Sequence, residues 1–338
     1  MTTVYPLPQV EITHLVDIEE PRPAAVLAGE RSWRAVNSLL SLPIVVQTAP
    51  ERVEASYLDG LAAELPAEVE VIYGIGGGMV ADAAKYIGFR TGLPAVVMPT
   101  ALSVDGFFTP IVAMRAEGSV EYVTTGPAER LYIDWDVIRT APQQYRGAAI
   151  VELLTIVTGL LDWRYAAERN KNKQEMRYIE WAAKIMAGIA QQAFKIAAGV
   201  GRGNVESLRN LLDLLCIEVQ ITNQLGHTRP QEGSEQYFAY ALEPRMISGR
   251  HLTYADMVAP GILISAALHN QDVSSIRSTL ESAAIRLDQL SPDDIRDTIK
   301  ILPEYVRKHR LPYSILNDLD LTSERVDEIL AQTGLDRT

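Results

Sequence analysis

The chain has 338 residues, 47% of them hydrophobic and 22% charged, with a formal net charge of −12. That length and balance can bury a core, in one large domain or two, and exclude disorder of the whole chain. The acidic balance and the lack of a long basic run exclude nucleic acid and anionic membrane as principal partners.

A phosphate-bearing ligand must therefore be held locally, by backbone amides or a few cations. The single cysteine, Cys216, excludes a disulfide within the chain and fits a reducing compartment. Inside LLDLLCIEVQI it reads as a small buried hydrophobe. The N-terminal MTTVYPLPQVEITHLVD lacks the basic start and unbroken apolar core of a signal peptide. No stretch approaches the roughly 18 apolar residues of a membrane span. The expectation is a cytoplasmic protein without a membrane span, compatible with a homo-oligomer.

From the N-terminus, short Val/Ile-rich runs alternate with helix-prone ones. AAVLA (24–28), PIVVQ (43–47), VEVIYGI (69–75) and PAVVMPT (94–100) read as strands. The runs 30–40, 52–65 and 81–92 between them read as helices. This alternation predicts a parallel sheet covered on both faces, a Rossmann-like α/β domain. Segment 105–135 alternates irregularly and suggests a hairpin. Beyond Ala141 the texture changes to helical periodicity over 144–168, 174–199, 204–223, 233–243, 254–269, 271–288 and 292–308, punctuated by proline and glycine. The predicted division is an α/β domain over residues 1–142 and an all-α domain over 143–338.

Within VIYGIGGGMVADAAK (71–85) a buried strand meets three glycines and then a helix. Helix N-termini carry unpaired N–H groups and partial positive charge. Glycine lets a backbone approach an anion closely. Gly76, Gly77 and Gly78 are thus candidates for a diphosphate cradle at the carboxyl end of a strand. Asp82 and Lys85 lie three apart on one face of the following helix. They form either a surface ion pair or a clamp on the next loop. That loop, PTALSVDGFFTP, offers Thr100, Ser103 and Asp105 beside the cradle; turn chemistry alone would also account for them.

GIGGGMVADAAK followed by MPTALSVDGFFTP resembles the family joining iron-containing alcohol dehydrogenases, glycerol dehydrogenases and dehydroquinate synthases, with its GGGxxxDxxK and PT pattern. DG in PTALSVDGFFTP, GHTRPQEGSEQYFAYALE (226–243) and TGLLDWRYA (158–166) are similar to the glycerol-1-phosphate dehydrogenase branch. The resemblance implies a dehydroquinate synthase-like fold with a nucleotide domain, a helical domain and a cleft between them. It implies NAD- or NADP-dependent interconversion of a ketone and a secondary alcohol, the substrate being a polyol or polyol phosphate such as dihydroxyacetone phosphate. A divalent metal, zinc or iron, would polarise the substrate oxygen. Gly76, Gly77 and Gly78 would hold the cofactor diphosphate, with Asp82 and Lys85 on the helix they open. Thr100, Ser103 and Asp105 would lie toward the nicotinamide and substrate.

The family draws its metal ligands from one Asp and two His. Here Glu152 takes the place of the aspartate and Gln236 that of the first histidine, with Tyr240 four residues on. For the last ligand, HLTYADMVAPGI leaves two alternatives: Tyr254 without a gap, or His251 with a short insertion. The candidate metal set is therefore Glu152, Gln236 and His251, and the candidate catalytic set Glu152, His251 and Tyr254. Amide oxygen is a poor zinc or iron ligand beside imidazole. His227 is a further candidate for the cleft. Glu152, in an apolar run, needs a partner if charged, and Arg229 is one candidate. Thr228 and Arg229 are also candidates to touch a phosphorylated substrate. The alternatives are a metal-less nucleotide-binding member repurposed from the fold, a metal-free enzyme with Tyr240, Tyr254 or His251 as proton donor, and a dehydroquinate synthase-like lyase.

Overall fold

The computed structural model describes residues 3–116, 119–246 and 252–337. The chain divides into two compact units, Met1–Arg146 with Gly203–Gln224, and Gly147–Arg202 with Leu225–Thr338.

The first unit is built on eight strands. They are β1 (Gln9–Ile12), β2 (Ala24–Ala28), β3 (Ile44–Thr48), β4 (Val71–Gly76), β5 (Ala95–Pro99), β6 (Ile111–Ala116), β7 (Ser119–Thr124) and β8 (Arg130–Ile133). Six of them form one sheet in the order β1-β8-β5-β4-β2-β3, every neighbouring pair parallel. The remaining two form an antiparallel hairpin with Ile111 opposite Thr124.

Helices α1 (Glu30–Val36), α2 (Ala55–Ala63), α3 (Gly78–Thr91), α4 (Trp135–Thr140) and α5 (Gln143–Arg146) belong to this unit. The two faces of the sheet show in β4. Val71, Tyr73 and Ile75 pack with Val26, Val96 and Met98, while Ile72 packs on the other face with Val80, Ala84 and Ile87 of α3. That period of two, buried on both sides, is what makes β4 an unbroken apolar run. Chain order reverses at β2, which has β3 on one side and β4 on the other. Such a switch point opens a crevice at the carboxyl ends of the strands.

The strands expected at 24–28, 43–47, 69–75 and 94–100 are β2, β3, β4 and β5. The hairpin expected within 105–135 is β6–β7. The edge strand β1 and its neighbour β8 escape the sequence pattern because each has only four residues, too few to establish a period.

The second unit holds α6 (Ile150–Glu168), α7 (Glu180–Gly201), α9 (Ser234–Leu242), α10 (Tyr254–Leu268), α11 (Val273–Ser282), α12 (Pro292–Lys308) and α13 (Ser323–Thr333). The intervening α8 (Val205–Leu225) lies almost wholly in the first unit. There Asn223 Nδ2 donates to the Tyr5 carbonyl at 3.2 Å and the Arg209 guanidinium lies 5.7 Å from the Trp135 ring centroid. Chain order alone assigns α8 to the helical half; its contacts assign it to the first unit. Helix α13 was not expected from the sequence. Among the described residues no helix is long and apolar enough to cross a membrane.

Two glycines bring α6, α9 and α10 close together. A Cβ at Gly261 of α10 would lie 2.4 Å from the Glu235 carbonyl oxygen, and one at Gly159 of α6 would lie 2.9 Å from the Gln231 and Glu232 backbone. Backbone contact at those points sets where the first turns of these helices end up.

Candidate active site

The carboxyl end of β4 runs through Gly76 into Gly77, which caps α3 without any side-chain hydrogen bond. The three glycines answer to different demands. Gly76 has φ +147, a region L side chains avoid, and a Cβ there would meet Ser32 Oγ at 2.9 Å. A Cβ at Gly78 would strike Val104 at 2.8 Å. Gly77 is under neither constraint: φ is −92 and the nearest atom to a Cβ, Ser103 Oγ, is at an ordinary 3.7 Å. Neither backbone conformation nor packing requires a glycine there. A side chain at 77 would occupy only open space above the first turn of α3, where the helix N–H groups lack intrahelical partners. These residues fit a diphosphate.

The loop after β5 lines the same crevice. Thr100 N donates to the Gly76 carbonyl at 3.3 Å and the Thr100 hydroxyl to Ser32 Oγ at 3.4 Å. Asp105 opens a short 3-10 turn, Asp105–Phe107. Lys85 ties that loop down. It is 2% exposed, and its Nζ donates to the Gly106 and Ile111 carbonyls at 2.7 Å each and lies 3.3 Å from Asp82 Oδ1. Burial pushes the Asp82 carboxyl up and Lys85 pulls it back. Of the two roles open in the sequence, the pair takes that of a clamp between α3 and the loop.

In the helical unit, Glu152, Gln236 and Tyr254 come together. The Tyr254 hydroxyl donates to Glu152 Oε2 at 3.0 Å, and Gln236 Nε2 donates to the Tyr254 hydroxyl. Glu152 and Gln236 are buried and Tyr254 is partly exposed. Of the two alternatives for the last position, Tyr254 meets the other two side chains. His251 lies outside the described residues. Among the described residues, the donor set does not fit zinc or iron. One carboxylate remains, but a phenol and an amide stand where imidazoles would serve, and the amide turns its nitrogen toward the cluster.

The TRPQEG loop is committed internally. Arg229 is 2% exposed and donates to the Glu232 carbonyl at 3.2 Å, the Tyr237 hydroxyl at 3.2 Å and the Tyr313 carbonyl at 2.8 Å. It therefore braces the loop, and these partners do not include Glu152. The Thr228 hydroxyl donates to Glu232 Oε2, and Tyr240 donates to Glu232 Oε1 at 3.2 Å. His227 packs edge-on to Trp163 at 5.4 Å, and burial with the nearby Arg229 charge pushes it down to about 4, so it stays neutral. Burial pushes Cys216 up to about 12, which makes it an inert thiol.

The sequence pattern missed a buried charge cluster under α9. Asp162 accepts from Ser234 N at 2.7 Å, Ile315 N at 2.8 Å and lies 3.0 Å from His269 Nε2. Burial pulls Asp162 up, but His269 and these donors together hold it below the usual range. Burial and the Asp162 charge push neighbouring Glu235 up to about 8. The only sequence trace was a polar residue within TGLLDW; nothing near it pointed to His269, 107 residues away.

Among the described residues, His14, Asp134 and Asp136 also bring potential ligand atoms within 4.8 Å of one another. Asp134 spends its oxygens on Leu15 N and Asp136 N as the cap of α4, which accounts for the cluster.

Comparison with known proteins agrees with this architecture. Residues 21–142 match the family described as iron-containing alcohol dehydrogenase. The chain is 30% identical to the glycerol-1-phosphate dehydrogenase [NAD(P)+] of Aeropyrum pernix over 274 residues, 80% of this chain and 76% of that one. It is 28% identical to the protein of the same name from Hyperthermus butylicus, over 92% of this chain and 89% of that one. A probable glycerol dehydrogenase from Sinorhizobium meliloti superposes with a TM-score of 0.70 at 19% identity, covering 100% of this chain and 99% of that one, which shows a shared fold.

Proposed function

Since the chain belongs to the iron-containing alcohol dehydrogenase family, we propose that it is an NAD(P)-dependent dehydrogenase of a polyol or polyol phosphate, acting like glycerol-1-phosphate dehydrogenase in the direction of dihydroxyacetone phosphate reduction. The observation that carries the reading is Gly77, open above the first turn of α3 with no packing or conformational reason to be glycine. NAD(P) supplies a hydride donor or acceptor. Gly76, Gly77 and Gly78 bind its diphosphate through backbone N–H groups. Thr100, Ser103 and Asp105 line the turn, and Lys85 holds their loop to α3. In the helical unit, Tyr254 is the partly exposed member of a polar cluster able to hold and move a proton. The two relatives with 28% and 30% identity carry the glycerol-1-phosphate dehydrogenase name, which favours a small phosphorylated polyol.

The amide and phenol at 236 and 254 favour a second reading, a member that binds nucleotide without turnover. One experiment separates the two. Purified protein is mixed with NADH or NADPH and dihydroxyacetone phosphate, and the nicotinamide absorbance is followed. The dehydrogenase reading expects substrate-dependent oxidation of the nucleotide. Stoichiometric nucleotide binding with no oxidation, across a panel of ketoses and ketose phosphates, would establish the second reading.

A further inference from the structure

Glu152, Gln236 and Tyr254 belong to three helices, and each sits in the first turn of its own: Glu152 of α6, Gln236 of α9 and Tyr254 at the start of α10. Side chains from three helix N-termini thus meet at one phenol oxygen. Each such end carries partial positive charge. That surrounding suits a developing oxyanion and works against a divalent cation. Among the described residues the donor set points the same way, since an amide nitrogen and a phenol stand where imidazoles would serve a metal.

A second observation marks the cluster as built for a ligand. Gln236 is 6% exposed, and its Oε1 has no hydrogen-bond partner among the described residues. A buried acceptor left in that state is costly until a donor arrives. The assignment of Gln236 follows from its neighbours: Tyr254 gives its proton to Glu152, so it takes one from Gln236 Nε2 and leaves Oε1 over. Glu152, 4% exposed, has access to a proton through the Tyr254 hydroxyl.

We propose that Tyr254 is the catalytic proton-transfer residue of this chain, positioned by Glu152 and Gln236, and that hydride transfer here needs no divalent metal. The proposal deepens the dehydrogenase reading and rests on it. In the oxidation direction, the substrate hydroxyl proton passes to the Tyr254 oxygen as the Tyr254 proton passes to Glu152 Oε2. The carbinol C–H bond breaks, its electron pair leaving with the hydrogen as hydride to the oxidised nicotinamide, and a C=O bond forms. Alcohol, NAD(P)+ and carboxylate become ketone, NAD(P)H and carboxylic acid; the acid then releases its proton to water. Reduction runs the same steps in reverse. The three helix ends stabilise the charge that builds on the substrate oxygen.

The test has a metal arm and a kinetic arm. Chelator-washed protein is titrated calorimetrically with Zn2+ and with Fe2+ under reducing conditions. No stoichiometric uptake is expected, whereas the double variant Gln236→His, Tyr254→His gains one site per chain. Uptake of one ion by the unaltered chain overturns the proposal, whether or not the chain is active. In the kinetic arm, Tyr254→Phe lowers kcat by about 100-fold or more, in line with general acid–base catalysis, and leaves the NAD(P)H dissociation constant unchanged. Glu152→Gln lowers kcat without raising KM, and Glu152→Asp recovers part of the loss. A fall of less than tenfold for Tyr254→Phe overturns the proton-transfer role. Failure of NAD(P)H to bind overturns the underlying dehydrogenase reading instead, and the metal titration still decides the donor-set claim.

Discussion

At the head of α3 the chain offers a ligand its backbone; at the head of α10 it offers a phenol held by two other side chains. The first arrangement is continuous in sequence. Strand β4, the glycine turn and α3 follow one another within Val71–Thr91, with distant contacts from Ser32 and from the loop that Lys85 holds. The second draws on residues 152, 236 and 254, whose positions depend on how three helices pack. A backbone site asks for glycine and little else, so its chemistry tolerates drift elsewhere. A side-chain site can change its chemistry through two substitutions while the helices stay in place. On the proposed reading, the contrast explains how a glycine turn can keep its form while the side-chain cluster at the head of α10 departs from a metal-ligand pattern.

Four substitutions sharpen that contrast, from the largest effect down. Lys85→Met removes the cation that links α3 to the 105–111 loop and leaves the Asp82 carboxyl buried without it. The expected cost is about 3–5 kcal/mol, as for one half of a buried ion pair, read as a lowered urea midpoint. Nucleotide affinity should weaken as well, and an unchanged midpoint would remove the clamp from the account.

Gly77→Asp has room for its side chain beside Ser103 and should fold with an unchanged midpoint. Its carboxylate would oppose the diphosphate and weaken NAD(P)H binding by about 100-fold, or about 2.7 kcal/mol. Arg229→Met should cost about 2 kcal/mol of stability by cutting the loop's ties to Tyr237 and Tyr313. Its KM at the permissive temperature should stay near the unaltered value. A large KM effect with full stability would return Arg229 to the substrate.

The smallest effect is pH-dependent. Glu235 is pushed up to about 8 in the folded chain from an ordinary value of 4.5. Below the lower value it is protonated in both states. Between the two, the unfolded chain ionises while the folded one does not, so stability falls as pH rises and levels off above pH 8. Glu235→Gln removes this loss. The variant should gain at least about 1 kcal/mol over the unaltered chain between pH 5 and pH 8, by the same linkage, read from urea midpoints. A constant difference across that window would contradict the raised value.

The strand, glycine turn and helix over 71–91 were legible from sequence because their signals are local: apolar β-formers, three glycines, then a helix. The central strands β2–β5 and the hairpin were legible for the same reason. Strands β1 and β8 were not, since four residues carry no period. Nor was the place of α8, because amphipathic spacing says a helix has a buried face without saying which unit covers it. Glu152, Gln236 and Tyr254 could be placed only through the family resemblance. That Glu152 pairs with Tyr254 and not Arg229 depends on tertiary packing. The meeting of Asp162, Glu235 and His269 was invisible, since three polar residues gain their perturbed environment only when helices bring them together.

The most direct test of the account is amide hydrogen exchange across residues 76–81, measured with and without saturating NADH or NADPH. The account predicts that one of the nucleotides binds stoichiometrically and markedly slows exchange at the first-turn amides of α3. If neither nucleotide binds, or if binding leaves those amides unchanged, the glycine turn is not the diphosphate site and the assignment built on it is contradicted.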